Sequence, residues 1–123
     1  MVNPSERDIN RLESIVQYCE RIESYRKRFG DSVEDFREDL AYRDACSECV
    51  SQIGELAGNI SNDLKEENSD IEWSRIKGLR NIINHNYGSI KTDLMWTVLT
   101  VRVPELKSRC LLIIEELNNS SGK

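Results

Sequence analysis

Apolar residues along this chain recur at intervals of three and four, the spacing that lines one face of an α-helix. Ile9, Leu12, Val16, Cys19 and Ile22 form the first stripe and predict a helix from Ser5, a good N-cap, to about Arg28, stopped by Gly30-Asp31. Phe36, Leu40, Cys46, Cys49, Ile53, Leu56, Ile60 and Leu64 form the second and predict one long helix from Ser32 and Asp35 to about Leu64. Gly54 and Gly58 lie inside that stretch. Each costs a helix interior ~1 kcal/mol relative to alanine, so either another backbone packs closely there or both face solvent. A polar loop from Lys65 to Ser69 leads to Asp70, the expected cap of a shorter third helix. Ile76, Leu79 and Ile83 line its apolar side, whereas Lys77, Arg80, Asn81 and Asn84 lie largely off it. Asn84-His85-Asn86-Tyr87-Gly88 reads as a helix stop, because Asn and Gly tolerate the left-handed conformation that ends helices. Thr92 or Asp93 is expected to start a fourth helix, and Pro104 to interrupt it and open a fifth carrying Leu106, Leu111, Ile114 and Leu117. Few strand signals appear. The expectation is an all-α antiparallel bundle of two long helices with three shorter ones, a single domain over residues 1–123 with 118–123 as a frayed tail.

Composition narrows the setting. No apolar run approaches the ~20 residues that span a bilayer, and Met1 to Arg7 lack the basic and apolar regions of a signal peptide. A cytoplasmic protein with four reduced thiols is therefore expected. Cys46 and Cys49 form a C-x-x-C, but no second close pair supplies the further ligands of a zinc site, so buried core thiols explain them better than a metal. The net charge of −5 argues against a surface coated in positive charge. Its distribution is uneven: residues 1–70 carry nine Lys and Arg against 17 Asp and Glu, whereas residues 71–110 carry seven against three. A local positive patch in that second segment can recruit a polyanion even on an acidic protein; an ordinary solvated face is the alternative.

The basic segment also holds the only histidine, His85, five residues after Arg80 and two before Tyr87. An imidazole can take and give a proton near neutral pH, and a guanidinium can hold a phosphate through paired hydrogen bonds. Together they suffice to cleave RNA, which carries its own nucleophile, the 2′-hydroxyl. On a continuous helix the two would diverge by roughly 140°; a helix that ends near His85 frees the ring to turn back. The alternative, a histidine serving as a cap or a surface residue, stays open on spacing alone. No carboxylate or histidine cluster with metal-ligand spacing lies near the motif, so neither metal nor cofactor is expected. Trp73 and Trp96 read as core or interface anchors, Tyr87 as either a reachable phenol or a buried ring, and Glu55 as either solvated or reaching toward the motif.

Three stretches carry a resemblance: Gln52 to Ala57, Trp73 to Tyr87, and Trp96 followed by Val103 to Lys107. With the Arg-x-x-x-x-His-x-Tyr signature at Arg80, His85 and Tyr87, the chain resembles the HepT-like branch of the HEPN superfamily over nearly its whole length. The resemblance implies a helical homodimer whose Arg–His motifs share a cleft. It implies a metal-independent endoribonuclease that acts as the toxin of a type II-like toxin–antitoxin system, beside an MntA-type minimal nucleotidyltransferase antitoxin able to add AMP to a tyrosine. By this match Arg80 binds phosphate, His85 is the acid/base and Tyr87 the modification target. Arg75, Lys77, Asn81 and Asn84 are candidates for the RNA path. The alternative is a non-catalytic nucleotide- or substrate-binding subunit of a two-component nucleotidyltransferase, for which an intact Arg80–His85 pair is unnecessary.

Overall fold

The computed structural model describes residues 4–83 and 89–121, and every regular element among them is helical. The first stripe forms α1 (Pro4–Phe29), with Leu12, Ile15, Val16, Cys19 and Ile22 buried. Gly30 follows at φ 120°, a conformation that residues with a Cβ rarely adopt. Its carbonyl accepts a 2.9 Å hydrogen bond from the Tyr42 hydroxyl, and the Tyr42 ring packs against Phe29, Phe36 and Trp96 at centroid distances of 5.2, 5.1 and 6.3 Å.

The second stripe, expected as one helix, is three: α2 (Val33–Glu38), α3 (Leu40–Gly58) and α4 (Asn62–Glu67). Capping divides it. Ser32 Oγ accepts from the Asp35 N–H at 3.1 Å, the Asp39 carboxylate from the Tyr42 N–H at 3.2 Å, and Ser61 Oγ from the Leu64 N–H at 3.2 Å. Each short polar side chain satisfies an orphan N–H and so starts a new helix. Ser61 is anchored in turn by the buried Asp8 of α1, whose carboxylate accepts from its N–H at 2.9 Å and its hydroxyl at 2.6 Å. The start of α1 thus meets the end of α3, while Gly30 meets Tyr42 at the other end. The two helices run antiparallel.

Asp70 does not cap the next helix. The α5 helix begins at Trp73 and runs to Ile83 (Trp73–Ile83). Trp73 Nε1 donates to the Asn68 carbonyl at 3.1 Å, which pins the turn before it and makes the buried Trp73 a core anchor. Asp70 instead pairs with Arg109, whose hydrogen bonds pull its carboxyl below the usual range. The α6 helix (Ser89–Thr97) starts earlier than Thr92. Pro104 does not interrupt the helical path: a π-helical turn, Val98–Arg102, carries α6 into α7 (Val103–Ser121), with Pro104 as its second residue. A proline ring in a regular helix collides with the carbonyl four residues earlier, here Thr100, and the widened turn lies over that position. Residues 118–121 continue the α7 helix.

Three long helices, rather than two, build the core: α1 packs against α3 and α7, and α3 carries α5. Lys107 of α7 clamps Glu23 of α1 at 3.0 and 3.2 Å. All four cysteines are free and buried. Burial pushes the thiols of Cys19, Cys46 and Cys110 up to about 12, and that of Cys49 in the same direction. Since the thiolate is the reactive form, native protein at pH 8 is expected to leave Ellman's reagent almost untouched, and guanidinium to release all four thiols. Rapid reaction of two native thiols would instead mark Cys46 and Cys49 as an open redox pair.

Candidate functional site

The meeting of α3 and α5 is set by Gly54. A Cβ there would stand 3.1 Å from the Ile76 carbonyl oxygen, 3.3 Å from that of Lys77 and 3.5 Å from the Arg80 nitrogen. The close backbone approach that the glycine pair suggested is therefore to this chain's own α5. Gly58 serves a second contact, since a Cβ there would meet the Lys77 side-chain stem at 3.3 Å.

Glu55, next to Gly54, is carried to the edge of α5, where the Arg80 Nη1 donates to its Oε2. Both side chains are about half exposed, 53% and 56%. An exposed pair contributes only about 0–1 kcal/mol to stability, so its main consequence is direction: it fixes where a long, flexible arginine points. Among the described residues the Nε–Nη2 edge of Arg80 has no partner. Two parallel N–H groups on that edge match two oxygens of a phosphate.

Beside this pair lies a cleft of about 510 Å³ lined by Gly54, Glu55, Gly58, Asn59, Ser74, Lys77, Gly78 and Arg80. The sequence points to Arg80, Lys77 and, as one of two readings, Glu55. It does not single out Asn59, Ser74 or Gly78, although Ser74 and Gly78 share the Lys77–Arg80 side of α5 at helical spacing.

Arg75, the other expected cation, is elsewhere. It pairs with Glu72 at 3.1 Å and lines a larger, mostly apolar groove of about 730 Å³ floored by Ile71, Ile76, Leu79, Leu94, Val98 and Leu106. Arg102 and Arg109 on the same groove are paired with Glu105 and Asp70. The excess of positive charge in residues 71–110 is thus largely used in ion pairs, and Lys77 is left without one among the described residues. Asn81 lies on the last turn of α5. Asn84, His85 and Tyr87 lie outside the described residues.

Comparison with known proteins adds a family. The profile described as "Ribonuclease HepT-like" matches residues 15–113, a span that includes Glu55, Arg80, His85 and Tyr87. A candidate RNase of Caldanaerobacter subterraneus subsp. tengcongensis is 30% identical over 105 residues, covering 85% of this chain and 92% of the relative. A gamma-glutamylcyclotransferase and candidate RNase of Methanocaldococcus jannaschii is 29% identical over 111 residues, 90% of this chain but 49% of that longer protein. A further candidate RNase of the same organism is 28% identical over 92 residues, 68% of this chain and 84% of the relative. No solved structure matches the chain.

Proposed function

The chain belongs to the HepT-like ribonuclease family, and from that premise we propose that it is a metal-independent endoribonuclease, the toxin of a pair whose antitoxin is an MntA-type minimal nucleotidyltransferase. The observation that carries the reading is the Arg80 guanidinium, directed by Glu55 along a cleft wall five residues before the only histidine.

The chemistry follows from those two side chains. His85 takes the proton of a ribose 2′-hydroxyl, and the oxygen attacks the adjacent phosphorus. The bond to the 5′-oxygen of the next nucleotide breaks, and that oxygen leaves with a proton. The products are a 2′,3′-cyclic phosphate and a 5′-hydroxyl. General-base help of this kind accelerates a reaction roughly 10²–10⁴-fold. Arg80 stabilises the charge growing on the non-bridging oxygens through its Nε–Nη2 edge. DNA lacks the nucleophile, so the substrate is RNA. One chain holds one histidine; a symmetric homodimer that faces two motifs across a shared cleft supplies a second imidazole for the leaving oxygen. Lys77 is the cation beside Arg80 on the cleft that the strand would follow, and Asn81 and Asn84 are further candidates for contact with it.

Regulation follows from Tyr87. An AMP group added there brings a phosphodiester charge to within two residues of His85, where it competes with RNA for Arg80. Native mass spectrometry after co-expression with the nucleotidyltransferase tests this and the pairing together. The expected species has twice the 14.2 kDa chain mass plus AMP units, and the added mass disappears in Tyr87→Phe. A monomer, or AMP retained in Tyr87→Phe, contradicts the corresponding part. As for the membrane, among the described residues no helix is long and apolar enough to cross one.

A further inference from the structure

The cleft extends from Arg80 back along α5 past Gly78 and Lys77 to Ser74, six residues before the arginine. Lys77 lays its stem across Gly58, with Cγ and Cδ 3.3 Å from where a Cβ would stand, so its ammonium is positioned by α3 as well as by its own helix. Among the described residues no carboxylate neutralises it. Gly78 differs from Gly54 in one respect. A Cβ added to it would meet nothing within 4 Å. It occupies the interior of α5, where alanine favours the helix more. Nothing in the described fold requires a glycine there, yet the bare backbone faces the cleft that holds both cations.

We propose that this stretch is a second-nucleotide subsite: Lys77 binds the phosphate next to the one at Arg80, and the uncovered helix surface at Gly78 lets the ribose between them lie against the backbone. Lys77 and Arg80 are three residues apart, about 4.5 Å along the helix, and so can serve neighbouring phosphates of one strand. The substrate is then a polynucleotide gripped at two successive phosphates. A second protein copy packed on Gly78 would bury the Lys77 ammonium with no partner in view, a costly arrangement; a phosphate neutralises it. The inference rests on the ribonuclease reading and names how that site holds its strand.

The test is fluorescence anisotropy of the full chain with a labelled single-stranded oligoribonucleotide made entirely of 2′-fluoro nucleotides, which binds but cannot be cleaved. Gly78→Ala is expected to raise the melting temperature by about 3–5 °C while weakening binding at least fivefold, opposite signs that a purely structural glycine does not give. Lys77→Gln is expected to weaken binding by a similar factor and to flatten the log K against log salt slope by about 0.7. Sedimentation of the same samples reads the assembly. No binding by wild type, unchanged affinity in either variant, or a Gly78→Ala effect confined to oligomeric state overturns the subsite. Cleavage by wild type with unchanged binding in both variants removes the subsite alone and leaves the ribonuclease reading standing.

Discussion

Replacing His85 by alanine is expected to cut RNA cleavage at least 10²-fold, the lower end of what a positioned base supplies, while leaving the far-ultraviolet circular dichroism of the helices unchanged. Arg80→Ala is expected to cost a similar factor, because charge on the phosphoryl oxygens loses its donor. Arg80→Lys should recover little, since a point charge cannot present the two parallel N–H groups of the Nε–Nη2 edge. Glu55→Ala is expected to act more weakly, lowering turnover by releasing the guanidinium from its held direction while the fold keeps its stability, as an exposed ion pair contributes about 0–1 kcal/mol. Single-turnover cleavage of one RNA by the four variants ranks them. Undiminished cleavage by His85→Ala would remove the histidine from the reaction.

Gly54→Val is expected to damage the site from a distance. Alanine at this position is a balance, because it gains helix propensity of ~1 kcal/mol against a contact that is only tight. Valine loses that gain and drives two methyl groups toward the Ile76 and Lys77 carbonyls, which lie 3.1 and 3.3 Å from the Cβ position itself. Those oxygens belong to the backbone of α5 and cannot swing away. Helix α5 must therefore retreat from α3, at the ~1–3 kcal/mol typical of overpacking. The melting temperature should fall by on the order of 10 °C. Glu55 and Arg80 separate in the same movement, so cleavage is expected to fall at temperatures where the variant is still folded. Thermal denaturation beside activity at 25 °C reads both; a variant with wild-type stability would show that α3 and α5 are not locked at this glycine.

Apolar periodicity located most of the helical material, because the residues that face the core recur whether or not the helix is continuous. The same property hid the breaks at Asp39 and Asn59. Apolar positions on either side of a cap can stay on one stripe, so the pattern runs on while the backbone turns. Pro104 misled in the opposite direction: the π turn at Val98–Arg102 lets the chain pass it, and hydrogen-bond registers are not written in residue spacing. At the site, Arg80 and Lys77 were legible from their place off the apolar stripe of α5. The partner of Arg80 was legible only as one of two readings of Glu55, since nothing short of the fold brings residues 25 apart together. The basic excess of residues 71–110 promised more than it delivered. Arg75, Arg102 and Arg109 are paired around a different groove, a distinction that counting charges cannot make.

In the proposed reaction the strand's own 2′-hydroxyl, activated by His85 and assisted by Arg80, does the cutting. The mass of the fragment ends, after wild-type protein cleaves a defined RNA in excess EDTA, reads that chemistry at the bond itself. The expected products are a 5′ fragment ending in a 2′,3′-cyclic phosphate and a 3′ fragment beginning with a 5′-hydroxyl. A 3′-hydroxyl opposite a 5′-phosphate, or cleavage that stops in EDTA, would contradict it.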